Sequence, residues 1–380
     1  MVLSTAASSD MRHRNNAIMF PPDSFKPMTG VYRMHINETK KVVEVCVKIV
    51  KIGEIDTLHE QYTAEVLVKA KWREPALDFV QDAKGVDLGN YWHPKLYIAN
   101  TIGTPSVAET NTFTIDKNHE AYMRLERRTR GMFMETLELR EFPFDIQDLA
   151  VTVVSDRIEE VQIIQDRDEY SSVYRSDFAD AQEWYLYSNV DVEETIAPYG
   201  HRTRSALVVK MKAARRPKYF IWNNFFVTFV ITALSFSTFA VIPKLVQNRL
   251  QLSFTLLLTC VAYKFAVSQN LPKIPYLTYL DRYVLFGITT LALICVWHAL
   301  VTLFLEHPKV ALMDMIVLIT LASIFVLFNV TFAIYIYATF KRRQRSAAPQ
   351  KPHGYVQYTD AENAPVSPPA MEKREEHTHL

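Results

Sequence analysis

The chain has 380 residues, with 42 Lys and Arg against 41 Asp and Glu and a formal net charge of +1. A total so close to neutral says nothing by itself about a nucleic-acid partner, but no strong basic patch asks for one, and none is expected. The average conceals two unlike halves, one charged and strand-like and the other carrying four long apolar runs, with a boundary near residue 217.

Residues 1–30 lack the basic start, apolar run and small-residue cleavage site of a secretory signal, so the numbering fits a trimmed or mature form. This segment is expected to be helical or disordered. Asn37-Glu38-Thr39 forms a glycosylation sequon, which a prokaryotic protein would not use.

Tyr62 to Trp72 alternates strictly: Tyr62, Ala64, Val66, Val68, Ala70 and Trp72 share one face, and Thr63, Glu65, Leu67, Lys69 and Lys71 the other. That pattern predicts a half-buried strand. Val43–Ile52, Phe133–Leu139, Asp148–Val154 and Ala206–Ala214 repeat the signal between Pro, Gly, Asn and Asp punctuation. Several short antiparallel strands over residues 31–217 imply a β-sandwich. Cys46 falls in one strand, and Cys260 and Cys295 fall in apolar runs. No pair has disulfide-framework or zinc spacing, and all three read as buried thiols.

A bilayer core ~30 Å thick needs about 20 apolar helical residues. Phe220–Ile242, Tyr283–Leu305 and Met315–Phe340 meet that requirement without Asp, Glu, Lys or Arg. Leu250–Leu271 is long enough but contains Lys264 and several polar residues. At ~100° per residue, Gln251, Thr255, Leu258, Ala262, Phe265 and Gln269 fall within a stripe ~80° wide. Polar residues on such a stripe can hydrogen-bond a neighbouring helix. A pore face explains more: Gln251 and Thr255 replace part of an ion's hydration, and Leu258, Ala262 and Phe265 form a gate that closes by expelling water. Lys264, about 120° from the stripe, is expected to snorkel or to contact another helix.

No enzyme signature is present. His59-Glu60 and His119-Glu120 lack a second His four residues after the first, and neither a Gly-x-Ser-x-Gly motif nor a phosphate-binding glycine loop occurs. No cofactor is expected.

Trp72, Trp92-His93-Pro94 ahead of Asn100, Phe142-Pro143-Phe144-Asp145-Ile146-Gln147 and Arg215-Arg216-Pro217 occur in an order that resembles the pentameric ligand-gated ion channels. Arg249, Leu258 and Pro272 resemble that family's pore-helix layout, and Arg249-Leu250-Gln251 through Ala262-Tyr263 is most similar to bacterial cation-selective members. The resemblance covers roughly residues 31–340. It implies an α+β membrane protein, an extracellular immunoglobulin-like β-sandwich followed by a four-helix transmembrane bundle. It further implies a homopentamer in the plasma membrane, in contact with lipid, that opens for a small-molecule agonist and conducts inorganic ions. Glu135 and Leu149 stand where animal receptors carry the disulfide of the Phe-Pro-Phe-Asp loop, and the link Leu305–Asp314 is too short for their cytoplasmic domain.

The family's aromatic agonist box, which attracts cationic amines, is largely lost here. Positions matching it are Tyr97 or Ala99, Asp156, Tyr199, Arg202 and Arg204, with Leu67 on the neighbouring face. Asp156 with the arginines suits a zwitterion or an acid, although such charges also occur as plain surface groups. Coupling to the pore is expected through Ile55–Glu60, Phe142, Pro143, Phe144 and Asp145, Arg215 or Arg216, and the linker from Pro272 through Pro275 to Asp281. Arg215 is expected to pair with Asp145 or Asp56.

No Asp or Glu occurs between Glu194 and Asp281, so no acidic ring guards the pore, and Lys244 and Arg249 would by themselves favour anions. The Gln251 and Thr255 pattern favours cations. An anion channel of the same family and a non-conducting four-span receptor or assembly subunit remain as alternatives. Four spans from an external amino terminus put residues 341–380 outside, whereas Lys341-Arg342-Arg343-Gln344-Arg345 favours the cytoplasm. Span parity outweighs that charge cue. The tail is poor in apolar residues and is expected to be disordered.

Overall fold

The computed structural model describes residues 40–78, 80, 86–175, 178–269 and 272–347. The amino-terminal segment, the sequon and the tail beyond residue 347 lie outside the described residues.

Among the described residues ten strands precede the membrane-length helices: β1 (Lys41–Asp56), β2 (Gln61–Arg73), β3 (Leu96–Ile98), β4 (Thr101–Ile115), β5 (Ala121–Met134), β6 (Ile146–Ser155), β7 (Val161–Gln165), β8 (Ser172–Val173), β9 (Trp184–Tyr199) and β10 (Arg202–Arg215). One sheet runs β4-β5-β2-β1-β7 with β8 beside β1, and the other runs β3-β6-β10-β9. The alternation of β2 is realised residue by residue: Tyr62, Ala64, Val66, Val68, Ala70 and Trp72 are buried, and the residues between them are not. Val47 opposite Val68 and Ile49 opposite Val66 fix the β1–β2 register, since a slip of one residue would turn this whole set to solvent. From the other sheet Leu149, Val151 and Val153 of β6 and Leu207, Val209 and Met211 of β10 close the core.

The expected strand Phe133–Leu139 is corrected. Pairing ends at Met134, and Leu137 and Leu139 enter the core from an irregular segment. Burial at alternate positions gives a strand's sequence signal even where no ladder partner exists.

Among the described residues four helices are long and apolar enough to cross a membrane: Lys218–Ala240, Val246–Ser268, Tyr279–Phe304 and Val310–Ala347. The third begins with a capping box, in which the Thr278 hydroxyl accepts from the Asp281 amide at 3.0 Å and the Asp281 carboxylate accepts from the Thr278 amide at 3.1 Å. The fourth helix continues through Lys341–Arg345 to Ala347, which corrects the expectation that disorder begins at residue 341. Arg343 Nε lies 2.8 Å from the Glu141 carboxylate, and Ala347 packs with Tyr187 and Ala214 of the β-domain. The basic cluster therefore stands on the β-domain's side of the bundle, the side that span parity gives it.

The first and third helices meet at Gly287, where a Cβ would lie 2.9 Å from Thr232 Oγ1 and 3.1 Å from Thr228 Cγ2. Close approach of helix backbones in lipid depends on such small residues. Gly287→Val is expected to push the two helices apart and cost about 1–3 kcal/mol, measured as a lower melting midpoint of the detergent-solubilised protein, with Gly287→Ala falling between.

Candidate functional site

The second helix buries Arg249, Ser253 and Cys260. At ~100° per residue these three cluster about 180° from Leu258, so the opposite face is anchored in the bundle. Gln251, Thr255, Leu258, Ala262, Phe265 and Gln269 are all exposed in the single subunit, Leu258 at 70% and Phe265 at 69%. The anticipated stripe is thus free of the subunit's own packing. Thr255 donates to the Gln251 carbonyl at 2.8 Å, which turns its methyl and hydroxyl along the helix surface. Near the outer end the first helix relaxes into a π turn over Ile221–Phe225, and the Tyr263 hydroxyl donates to the Asn223 carbonyl there.

At the inner end Arg249 is fully buried, which corrects its reading as a cation acting on the pore. Its Nη1 and Nη2 reach the two Asp314 carboxylate oxygens at 3.0 and 2.8 Å. Nε donates to the Val241 carbonyl at 2.7 Å, Nη2 donates also to the Phe239 carbonyl at 3.0 Å, and Nη1 stands 3.5 Å from His298 Nδ1. The Trp297 indole N–H donates to Asp314 at 2.9 Å. With His298 Nδ1 facing a donor, its Nε2 carries the proton toward Thr238 Oγ1 at 2.7 Å, and that hydroxyl donates to the Ser235 carbonyl. All four helices meet in this network. Asp314 was missed as a functional residue, although a lone acid at the entry to an uncharged run was a visible signal.

The junction between the β-domain and the helices is organised around a second buried arginine. Arg215 Nε donates to Asp145 Oδ1 at 3.0 Å and Nη2 reaches Asp145 Oδ2 at 3.4 Å and the Thr57 hydroxyl at 3.0 Å. Its guanidinium lies 4.1 Å from the Trp184 ring centroid and 4.9 Å from that of Phe142. Of the two expected partners, Asp145 is the one engaged. Asp56 instead accepts from the Leu58 and His59 amides of its own turn. Phe142 meets Phe220 edge to face at 4.7 Å, Phe144 lies against Phe225 and Phe340, and Pro143 between them is buried. Arg216 is exposed, with its amide donating to the Glu183 carbonyl. In the linker Pro272 is half-buried and Pro275 exposed, whereas Tyr276, not singled out by sequence, accepts from the Leu139 amide at 3.1 Å through its hydroxyl.

The model for the neurotransmitter-gated ion-channel ligand binding domain matches residues 29–217. The chain belongs to the pentameric ligand-gated ion channels. Similar proteins of this family include a gamma-aminobutyric acid receptor subunit beta of Caenorhabditis elegans, 23% identical over 60% of this chain and 40% of that protein. The gamma-1 subunit of Rattus norvegicus is 23% identical over 66% of this chain and 56% of its own length. A proton-gated ion channel of Gloeobacter violaceus is 20% identical over 62% and 66%. The chain spans about half the length of the first two relatives. Members of this channel family are multi-pass plasma-membrane proteins with the β-domain outside, and they are not enzymes.

In the sheet β3-β6-β10-β9, Tyr97 of β3, Asp156 beyond β6, and Tyr199, Arg202 and Arg204 of the β9–β10 hairpin come to one end. Gly200 at φ +59° turns that hairpin. Arg202 pairs with Glu159 at 3.1 Å. Tyr97 and Asp156 also line a cavity of about 500 Å³ with His93, Lys95, Glu109 and Arg127. Leu67 lies on the outward face of β2 in the other sheet, apart from this group within one subunit.

Glu135, just past the end of β5, ties three segments by hydrogen bonds. Its carboxylate accepts from the Ala150 amide at 2.7 Å, and its own amide donates to the Glu60 carbonyl at 3.0 Å. Burial pushes this carboxyl from its ordinary 4.5 up to about 7, against the pull of the Ala150 amide. A carboxyl raised in the fold contributes fully below pH 4.5, and that contribution is lost as pH rises through about 7.

Two outcomes are expected. Glu135→Gln should flatten the decline in melting midpoint that is expected of the unaltered protein between pH 4.5 and 7. Asp314→Ala leaves a buried guanidinium uncompensated and should cost about 3–5 kcal/mol, whereas Arg249→Met with Asp314→Leu should recover most of it. Thermal unfolding of the purified channel measures both.

Proposed function

We propose that the chain forms a homopentameric channel in which agonist bound between extracellular domains opens a central, cation-conducting pore. The observation that carries this reading is the second helix: one face is locked into the bundle by Arg249, and the opposite face offers Gln251, Thr255, Leu258, Ala262, Phe265 and Gln269. Five such faces turned to one axis make a polar inner mouth beneath an apolar constriction. Burial of Arg249 against Asp314 withdraws a positive charge from the inner mouth, which supports cations over anions. Lys244 remains exposed there, and this supports the anion-selective reading as the second one.

Coupling runs, in this reading, from the agonist face through β6 and β10 to Asp145 and Arg215, then through Phe142 and Phe144 to the first and fourth helices and through Tyr276 to the linker ahead of the third. Similarity to a proton-gated channel and to gamma-aminobutyric acid receptor subunits makes protons and gamma-aminobutyric acid the first agonists to test.

The test is current recording from purified protein in planar bilayers. Leu258→Ser should wet the constriction and raise resting current several-fold without agonist, and reversal potentials under cation substitution should shift while chloride substitution leaves them in place. Unchanged resting current in well-assembled Leu258→Ser protein counts against the gate, and a chloride-dependent reversal potential decides for the anion channel.

A further inference from the structure

The pairing register of the sheet β3-β6-β10-β9 gathers six side chains on one face. Tyr97 is opposite Val154, Val154 is opposite Ala206, and Arg204 is opposite Ala197. Directly paired residues and those two apart along a strand point the same way, so Tyr199 and Arg204 join Tyr97 over a floor of Val154, Ala197 and Ala206. The floor residues pack together with Tyr97. All three floor residues are buried beneath the side chains above them, with a tyrosine at each side.

The position that a ligand's cation would take between the two rings is already filled. The Arg204 guanidinium lies 5.4 Å from the Tyr97 ring centroid and 4.7 Å from that of Tyr199. Nη1 donates to the Tyr97 hydroxyl, which fixes the plane of the group. An aromatic cage attracts a cation through the ring quadrupole, and here the chain supplies that cation itself. A second cation arriving from solvent would meet both an occupied cage and a like charge.

The guanidinium is nevertheless short of partners. It has five N–H donors, yet Nε is buried with no acceptor, and no carboxylate pairs with Arg204 among the described residues. The neighbouring arginine, Arg202, has Glu159. A planar guanidinium held by two rings and lacking an anion is preorganised for bidentate recognition of a carboxylate.

We propose that this face binds a small carboxylic acid, with Arg204 as the anion-binding group held between Tyr97 and Tyr199, and that amines are excluded from it. The inference rests on the reading of this face as the agonist site and names the ligand class that the site takes.

Benzoate and benzylamine are matched probes, similar in ring and size but opposite in charge. Calorimetric titration of the full-length assembled channel in detergent is expected to show benzoate binding and no benzylamine binding. Arg204→Gln should weaken benzoate by about tenfold or more, since charge-assisted hydrogen bonds of this kind are worth about 1.5–3 kcal/mol. Arg204→Ala, which empties the cage, should gain benzylamine binding. Arg204→Lys keeps the charge without the fork and should fall between, and it serves if the neutral variants fail to assemble. Benzylamine binding by the unaltered protein, benzoate binding unchanged in Arg204→Gln or Arg204→Lys, or binding of neither probe by the unaltered protein overturns the proposal. Resting current in Leu258→Ser channels needs no ligand, so failure of the ligand class is told apart from failure of the channel reading.

Discussion

A guanidinium removed from water must find an anion and an acceptor for every N–H, and the inner half of the bundle is arranged around meeting that demand at Arg249. Its donors are taken by Asp314 of the fourth helix, two carbonyls at the end of the first and His298 of the third. Removing either partner leaves an uncompensated charge in a low-dielectric site, so the helices cannot separate there without a large cost. The orientation of the second helix follows from this. With Arg249 fixed inward, the stripe running from Gln251 to Gln269 has only one direction left to face.

The same device recurs at the other end of the bundle. Arg215 closes β10 just before the first helix and is held by Asp145, Thr57 and the Trp184 and Phe142 rings. Asp145 is itself held by Gln147 Nε2 at 2.6 Å. Two buried arginines thus define the two ends of the helical unit, one against the β-domain and one at the far side. Between them the contacts are largely apolar and aromatic, such as Phe225 on Tyr283 and Tyr283 on Phe332. Packing of that kind is less directional than charge-assisted hydrogen bonding. Alignment is therefore set at the ends, and the middle supplies bulk cohesion.

Much of this was legible in the sequence because it depends on periodicity. The alternation from Tyr62 to Trp72, the apolar runs and the stripe on the second helix each follow from repeats of 2 or 3.6 residues. What periodicity could not deliver were pairings between segments far apart in the chain. Arg249 looked like a pore charge because its partner lies 65 residues away, behind two helix ends. Phe133–Leu139 looked like a strand because burial alternates there without a ladder. The long exposed strand β4, from Thr101 to Ile115, gave little signal, since a polar edge strand lacks the apolar half of the pattern. The choice between Asp56 and Asp145 for Arg215 likewise required the turn geometry that occupies Asp56 with its own backbone amides.

The fourth helix is held at two points, by Asp314 on Arg249 and by Arg343 on Glu141. At ~1.5 Å per residue the helix between them measures about 44 Å, which matches a bilayer of ~40–45 Å counted with its headgroups rather than its ~30 Å hydrocarbon core alone. A helix free at one end adapts to a thinner membrane by tilting. One fixed at both ends cannot tilt by itself, so a change in bilayer thickness must be absorbed by the surrounding lipid or felt as tension at the two ion pairs. The fourth helix is in that sense a measuring rod, calibrated by two arginines to a particular membrane.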